Sequence, residues 1–361
     1  MLNNKRVRLI FSTFAVAGLV TACGSTPNTT STNPVPADRF DLSHWKITLP
    51  MDANGDGKID EIDVQEIQTY SHPDYFYLDD NGGMVFTAPN KAITTSNSSN
   101  TRSELRQQLR GGNFRIGTKH PKNNFVLAAH TASSIFGSIG GKMEASLKVD
   151  HVAVRAGNPD KNPAYSVVIG QIHAGKDTTL LGNTRDLFGW GNEPIKIYYK
   201  KWPDHDTGSV FWTYERNLAK DDPNRTDIAY PVWGYTWENP ADPGANGIEL
   251  GEEFSYVINV HENIMHLEFT AEGKETVTYS IDLTNNVDAY GNVDPLDNKF
   301  GYTLDWHYFK AGAYNQCSTK NAPGSWYTAC PGIGDWAVDK ANGDYTQVTF
   351  SNLVLSPSTA P

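Results

Sequence analysis

Strict alternation of apolar and polar side chains marks the most informative stretches of this chain. In Tyr308–Gln316 the sequence reads YFKAGAYNQ. As an extended strand it puts Phe309, Ala311 and Ala313 on one face, with Asn315 near the end. Tyr308, Lys310, Gly312, Tyr314 and Gln316 take the other face. Thr101–Gln108 reads the same way. Ser103, Leu105 and Gln107 lie on one side, and Arg102, Glu104, Arg106 and Gln108 on the other. Tyr165–His173 has a β-branched centre that suits a strand, and it sets Gln171 and His173 together opposite Ile172. Short runs of this kind, separated by turn residues, recur along the chain. No long amphipathic helix and no internal repeat interrupts them, so the pattern predicts an all-β fold. Thr178–Gly251, with Trp, Pro, Asp and Gly throughout, is expected to be long loops with short strands that could wall a groove.

The polar faces carry chemistry. A solvated strand has no need of two phenols, an ammonium and an amide around a glycine. A sugar-binding or catalytic surface does, because glycine lets a ligand approach the backbone. Two arginines and a glutamate in line suit a strand that lines an anion-binding groove, with Glu104 holding the guanidinium groups in place. His173 alone would more readily be structural. Beside Gln171, and with two other polar-faced strands in the chain, it becomes a candidate for catalysis.

Charge then narrows the partners. The 361 residues carry a formal charge of −11, which argues against nucleic acid. It does not exclude a polyanionic ligand. Acidic residues crowd 52–80 and 282–297, while Arg102, Arg106 and Lys310 would gather in one place, and local potential governs binding.

Taken together, Arg102-Ser-Glu-Leu-Arg106, Gln171-Ile-His173 and Tyr308–Gln316 resemble the three signature segments of the alginate lyases of polysaccharide lyase family seven. Asp41–Pro50 is similar to that family's first strand, and the likeness runs from about Phe40 to the C-terminus. The resemblance implies a β-jelly roll of two antiparallel sheets with a concave substrate groove. It also implies cleavage of alginate by β-elimination, with the C5 proton removed and O4 expelled. The catalytic set carried over is Arg102, Gln171, His173 and Tyr314. Glu104, Arg106, Tyr308, Lys310 and Gln316 would bind the chain. Tyr314 would give its proton to O4, and could act as base where it lies close to C5. His173 would be the base for guluronate, towards whose blocks the isoleucine between Gln171 and His173 leans. The reaction needs no cofactor, and the enzyme is expected to be a monomer.

The N-terminus adds a location. Residues 1–22 have a basic start (Lys5, Arg6, Arg8) and an apolar run from Leu9 to Val20, too short to span as a mature helix. This reads as a secretory signal. Val20-Thr-Ala-Cys23 resembles a lipoprotein cleavage box, which would anchor Cys23 to a membrane through lipid. Gly24 in place of aspartate favours the outer membrane or cell surface, with release to the medium as a further outcome. Residues 23–37 would be a flexible Ser/Thr/Pro tether and 38–361 the lyase domain. With Cys23 set aside, Cys317 and Cys330 remain as an expected disulfide in an exported protein.

Two other patterns compete for attention. Asp52, Asn54, Asp56, Lys58 (through its carbonyl), Asp60 and Asp63 stand at positions 1, 3, 5, 7, 9 and 12 of an EF-hand-type loop, with Gly57 at the turn. They predict a structural calcium. Glu61, Asp63 and Glu66 match the Glu-x-Asp-x-x-Glu pattern of laminarinase-like glycoside hydrolases, whose paired carboxylates cut by a different chemistry. A non-catalytic alginate-binding lectin is the remaining alternative.

Overall fold

The computed structural model describes residues 34–176 and 189–361. The expected signal (1–22), Cys23 and the tether as far as residue 33 lie outside the described residues. The last tether residues are not loose. Pro36–Asp38 forms a 3-10 turn with Pro36 buried, so the folded domain begins a few residues earlier than the composition implied.

The strands are β1 (Trp45–Leu49), β2 (Asp60–Ile62), β3 (Phe76–Leu78), β4 (Met84–Pro89), β5 (Asn100–Gln107) and β6 (Phe125–Val126). They continue with β7 (Ser138–Ile139), β8 (Gly141–His151), β9 (Ser166–Lys176), β10 (Ile195–Lys200), β11 (Ser209–Glu215) and β12 (Asp227–Trp233). The last are β13 (Glu253–His261), β14 (Ile264–Ala271), β15 (Val277–Asp282), β16 (Asp305–Ser318) and β17 (Tyr345–Ser356). One six-residue helix, α1 (Trp336–Ala341), joins them. Two sheets result. One has the order β12-β11-β10-β9-β16-β5-β1-β2, with β6 and β7 attached to β16. The other has the order β15-β14-β13-β8-β17-β4-β3. The main ladders are antiparallel, as in the expected jelly roll.

Alternation explains the layering. Ile47, Leu105, Ile172, Ile197, Trp212, Phe309 and Ala311 from the first sheet share one core with Phe86, Leu147, Ile258 and Phe350 of the second. The intervening residues of the first sheet therefore face away from that core. The 178–251 region holds, in its described part, the short strands expected among its loops. It supplies β10, β11 and β12, three of the ten strands of the functional sheet. Their alternation was present in Ile195–Lys200 and Ser209–Glu215, but abundant Trp, Pro and Gly between them masked it.

Register carries the arrangement across strands. Lys196 pairs with Gln171, Gln171 with Lys310, Lys310 with Arg106, and Arg106 with Lys46. Four cations and an amide thus form one row at right angles to the strands. A neighbouring row runs Phe211, Tyr198, Val168, Tyr314 and Arg102. Gly312 sits between the two rows at φ +138°. A Cβ there would lie 2.5 Å from the Ser103 carbonyl oxygen, so the backbone admits only glycine. The register of β16 against β9 shifts at this point.

Candidate functional site

Glu104 organises the polar face. It is 2% exposed and lies opposite Gly312, whose missing side chain leaves it room to reach both rows. Its carboxylate accepts from Arg102 Nη1 at 3.2 Å, from Lys310 Nζ and from Gln171 Nε2. Burial pushes the Glu104 carboxyl up, but the charges of Lys310 and Arg102 outweigh it and hold the group below the usual carboxylate range. Glu104 thus orients three residues drawn from three strands. It does not hold both arginines, as the strand pattern had suggested. Arg106 instead donates to Asn124 Oδ1 at 3.1 Å and to the carbonyl of Gln107 at 2.8 Å, and stacks over the Tyr308 ring at 3.8 Å.

Tyr314 lies beneath Arg102, whose guanidinium carbon is 4.0 Å from the ring centroid, and its hydroxyl is 3.3 Å from Ser98 Oγ. His173 lies parallel to Tyr308, with ring centroids 5.4 Å apart. Arg102, Gln171, His173, Lys310 and Tyr314 all line one cavity of about 450 Å³. Glu104 is beneath it, and Arg106 and Tyr308 continue the same face. Gln316 does not join them. It is fully buried, donates to the Tyr314 carbonyl, and leaves Oε1 without a partner among the described residues. The cause is a bulge. Between Tyr314 and Ser318 the register against β5 slips, because two β5 steps oppose four on β16. Alternation counted from Tyr308 therefore ends at Tyr314.

The charge balance favours an anion. Arg102, Lys196, Lys220, Arg225 and Lys310 line the cavity with Glu193, Glu215 and Asp227, and Glu104 lies beneath it, so five cations meet four carboxylates, and Arg106 adds a further positive charge on the same face. Burial pulls the Lys310 ammonium down to about 8, against the pull of Glu104. Its charge is lost as pH rises through that value. We expect kcat/KM to fall above about pH 8, and Lys310→Arg to remove the fall because a guanidinium stays charged there. A pH–rate profile of both proteins checks this. An unchanged alkaline limb in the variant would rule Lys310 out as its source.

Several cavity residues were not legible in the sequence. Lys196 on β10 meets Asp227 at 2.9 Å, Glu215 at 3.4 Å and Glu193 at 3.6 Å. Arg225 reaches Glu215 at 2.5 Å. Each belongs to the stretch read as long loops with short strands, and only the alternation of β10 and β11 could have flagged Lys196 and Glu215. Tyr327 and Trp326 come from a loop closed by Cys317–Cys330, which are disulfide-bonded as expected, with a sequence separation of 13. Lys161 holds the carbonyls of Ser325 and Tyr327, which fixes the loop against the cavity.

The 52–63 segment does not form the expected cage. Among the described residues no three His, Cys, Asp or Glu side chains gather as metal ligands. Asp52 accepts from the amides of Asp56 and Gly57, Asn54 from Asp56, and Asp56 from Lys58. Asp60 accepts from Ala53, and Asp63 from Gln65 and Glu66. Asp60–Ile62 is an extended strand paired with β1, so Asp63 is carried away from the turn that holds Asp52. The paired-carboxylate reading fails on the same segment. Glu61 projects from an edge strand to Lys46 at 2.8 Å with half its side chain in solvent, and Asp63 caps a turn. None of Glu61, Asp63 and Glu66 lines the cavity.

Comparison with known proteins agrees with this geometry. A family model described as alginate lyase matches residues 40–357. An alginate lyase of Klebsiella pneumoniae is 36% identical over 296 residues, 79% of this chain and 86% of that protein. The crystal structure of a Klebsiella pneumoniae alginate lyase superposes with a TM-score of 0.69 at 32% identity, covering 90% of this chain and 99% of that one. An exolytic alginate lyase of family PL7 from Zobellia galactanivorans gives 0.69 at 33% identity, covering 91% and 99%.

Proposed function

Because the chain belongs to the alginate lyase family and is a polysaccharide lyase acting on alginate, we propose that it works by β-elimination at the cavity on the polar face of the first sheet. The observation that carries this is the convergence of Tyr314, Arg102, Gln171 and Lys310 on one cavity, the last three held by the buried Glu104 carboxylate. The C5 proton of a uronate is weakly acidic, because the adjacent carboxylate is already negative and removing the proton adds charge. Arg102 and Gln171, preorganised by Glu104, neutralise that carboxylate and stabilise the enolate that develops. The electron pair of the C5–H bond becomes the C4–C5 double bond, and O4 leaves with a proton from Tyr314. For guluronate the C5 proton goes to His173. For mannuronate, whose C5 proton lies on the opposite face of the ring, Tyr314 both takes and returns it. Lys310, Arg106 and Tyr308 hold neighbouring sugars.

The preference goes to guluronate-containing blocks, on the strength of isoleucine between Gln171 and His173. Cutting from chain ends is part of the same proposal. It draws on the exolytic relative and on the charged wall of Lys196, Glu215, Arg225 and Asp227, with the Tyr327 loop beside it. The test is incubation with purified guluronate and mannuronate blocks, following ultraviolet absorbance of the new double bond and sizing the products. Faster turnover of guluronate and small unsaturated products from the first minutes are expected. Early products of intermediate length would overturn the chain-end mode, and preferred turnover of mannuronate would overturn the block preference.

A further inference from the structure

His173 is held at both ring nitrogens. Nδ1 is 2.7 Å from the carbonyl oxygen of Ala174, which can only accept, so Nδ1 carries a hydrogen. Nε2 is 2.9 Å from Glu193 Oε1. A nitrogen lone pair and a carboxylate oxygen approach that closely only with a proton between them. Burial pushes the Glu193 carboxyl up, and the charges of His173 and Lys196 outweigh it and hold it well below the usual range. Its neighbour Glu215 is pushed well above that range by burial. Glu193 is therefore the ionised member of the two, and the shared proton rests on the imidazole.

Among the described residues, the partner recorded for Nε2 is Glu193. Lys196 on β10, and Arg225 beyond it, are occupied with Glu215 and Asp227. From β16 come the Tyr308 ring, Lys310 and the buried His307, and from its own strand Gln171, which donates to Glu104. While Nε2 is engaged, His173 has no lone pair to offer a C5 proton.

We propose that Glu193 is a positioning residue that sets which uronate is turned over, by holding or releasing Nε2 of His173. This rests on the base assignment made above. With the contact closed, Tyr314 is the only base, and mannuronate is the substrate served. With it open, the imidazolium gives its Nε2 proton to solvent and the freed lone pair takes the C5 proton of guluronate. The C5–H pair forms the double bond, the C4–O4 bond breaks, and O4 takes the Tyr314 proton. His173 then returns its proton to water, and Tyr314 regains one from it.

Glu193→Gln removes the charge that holds the second proton and keeps the side-chain shape. We expect the ratio of kcat/KM on guluronate blocks to that on mannuronate blocks to rise at least about fivefold. The acidic limb of the guluronate profile should move to lower pH, and that of the mannuronate profile should stay in place. Glu193→Asp, which keeps the charge, should leave the ratio within about twofold of wild type. Because each ratio is read on one preparation, partial loss of folded protein cancels. An unchanged ratio in Glu193→Gln, or an equal change in Glu193→Asp, overturns the role of Glu193. His173→Asn separates this from the reading beneath it. If that variant loses guluronate turnover while Glu193→Gln leaves the ratio unchanged, only the Glu193 proposal falls. If it keeps guluronate turnover, the base assignment itself is wrong.

Discussion

Tyr314→Phe should retain the fold and bind alginate, yet turn it over about a thousandfold more slowly. The substitution removes one oxygen. The ring stays under Arg102, where its face supports the guanidinium 4.0 Å above it, and beside Lys310. The hydroxyl's protein contact is with Ser98 Oγ at 3.3 Å, a part-buried hydrogen bond worth about 1 kcal/mol at most. Stability should therefore change little. The reaction loses its proton donor to O4, and O4 would have to leave as an alkoxide. Initial rates by ultraviolet absorbance, with thermal unfolding measured on the same sample, check both halves. A variant that keeps more than about a tenth of wild-type turnover would remove Tyr314 from the proton-transfer step.

Glu104→Ala should be the most destabilising single change in the site, costing about 3–5 kcal/mol. The carboxylate is 2% exposed, and its loss leaves Arg102, Lys310 and Gln171 buried without the acceptor they share. Two of them are cations in adjacent rows, so their mutual repulsion is released as well. Glu104→Gln keeps the volume and isolates the charge. The folded-state carboxyl is held below its ordinary value of 4.5, so its stabilisation is present above the unfolded value and is lost as pH falls through the folded one. The stability difference between wild type and Glu104→Gln should be full at pH 7 and shrink in acid below about pH 4. Urea unfolding at the two pH values measures it. A difference that is equal at both would show that hydrogen bonding, and not charge, is what Glu104 supplies. Turnover should also fall in both variants, because Arg102 and Gln171 lose the group that aims them.

The strand faces were legible because alternation is local. Two-residue periodicity in Thr101–Gln108 and Tyr308–Gln316 separates Leu105, Phe309 and Ala311, which are in the core, from Arg102, Arg106, Lys310 and Tyr314, which are not. Gln316 marks the limit of that reasoning. A bulge adds residues to one strand without any mark in the residue types, and within it alternation no longer tells which side a residue takes. The spacing of the calcium pattern does not translate into a gathered set of carboxylates for a related reason. Its spacing assumes that residue 63 folds back towards residue 52, and pairing of Asp60–Ile62 with Thr48 and its neighbours draws the chain out straight.

By itself the sequence determined the all-β class, the polar faces and the residue types available for the chemistry, since each follows from neighbours along one strand. Which of those residues meet was decided only by register between strands far apart in the chain. That register set Lys310 beside both Gln171 and Arg106, and placed Glu104 opposite a glycine that leaves it room to gather three partners. It also brought Glu193 to His173, a contact no local pattern contains. Hydrogen bonding across a sheet is specified by the whole core that fixes each strand's position, so the site's electrostatics belong to the tertiary structure.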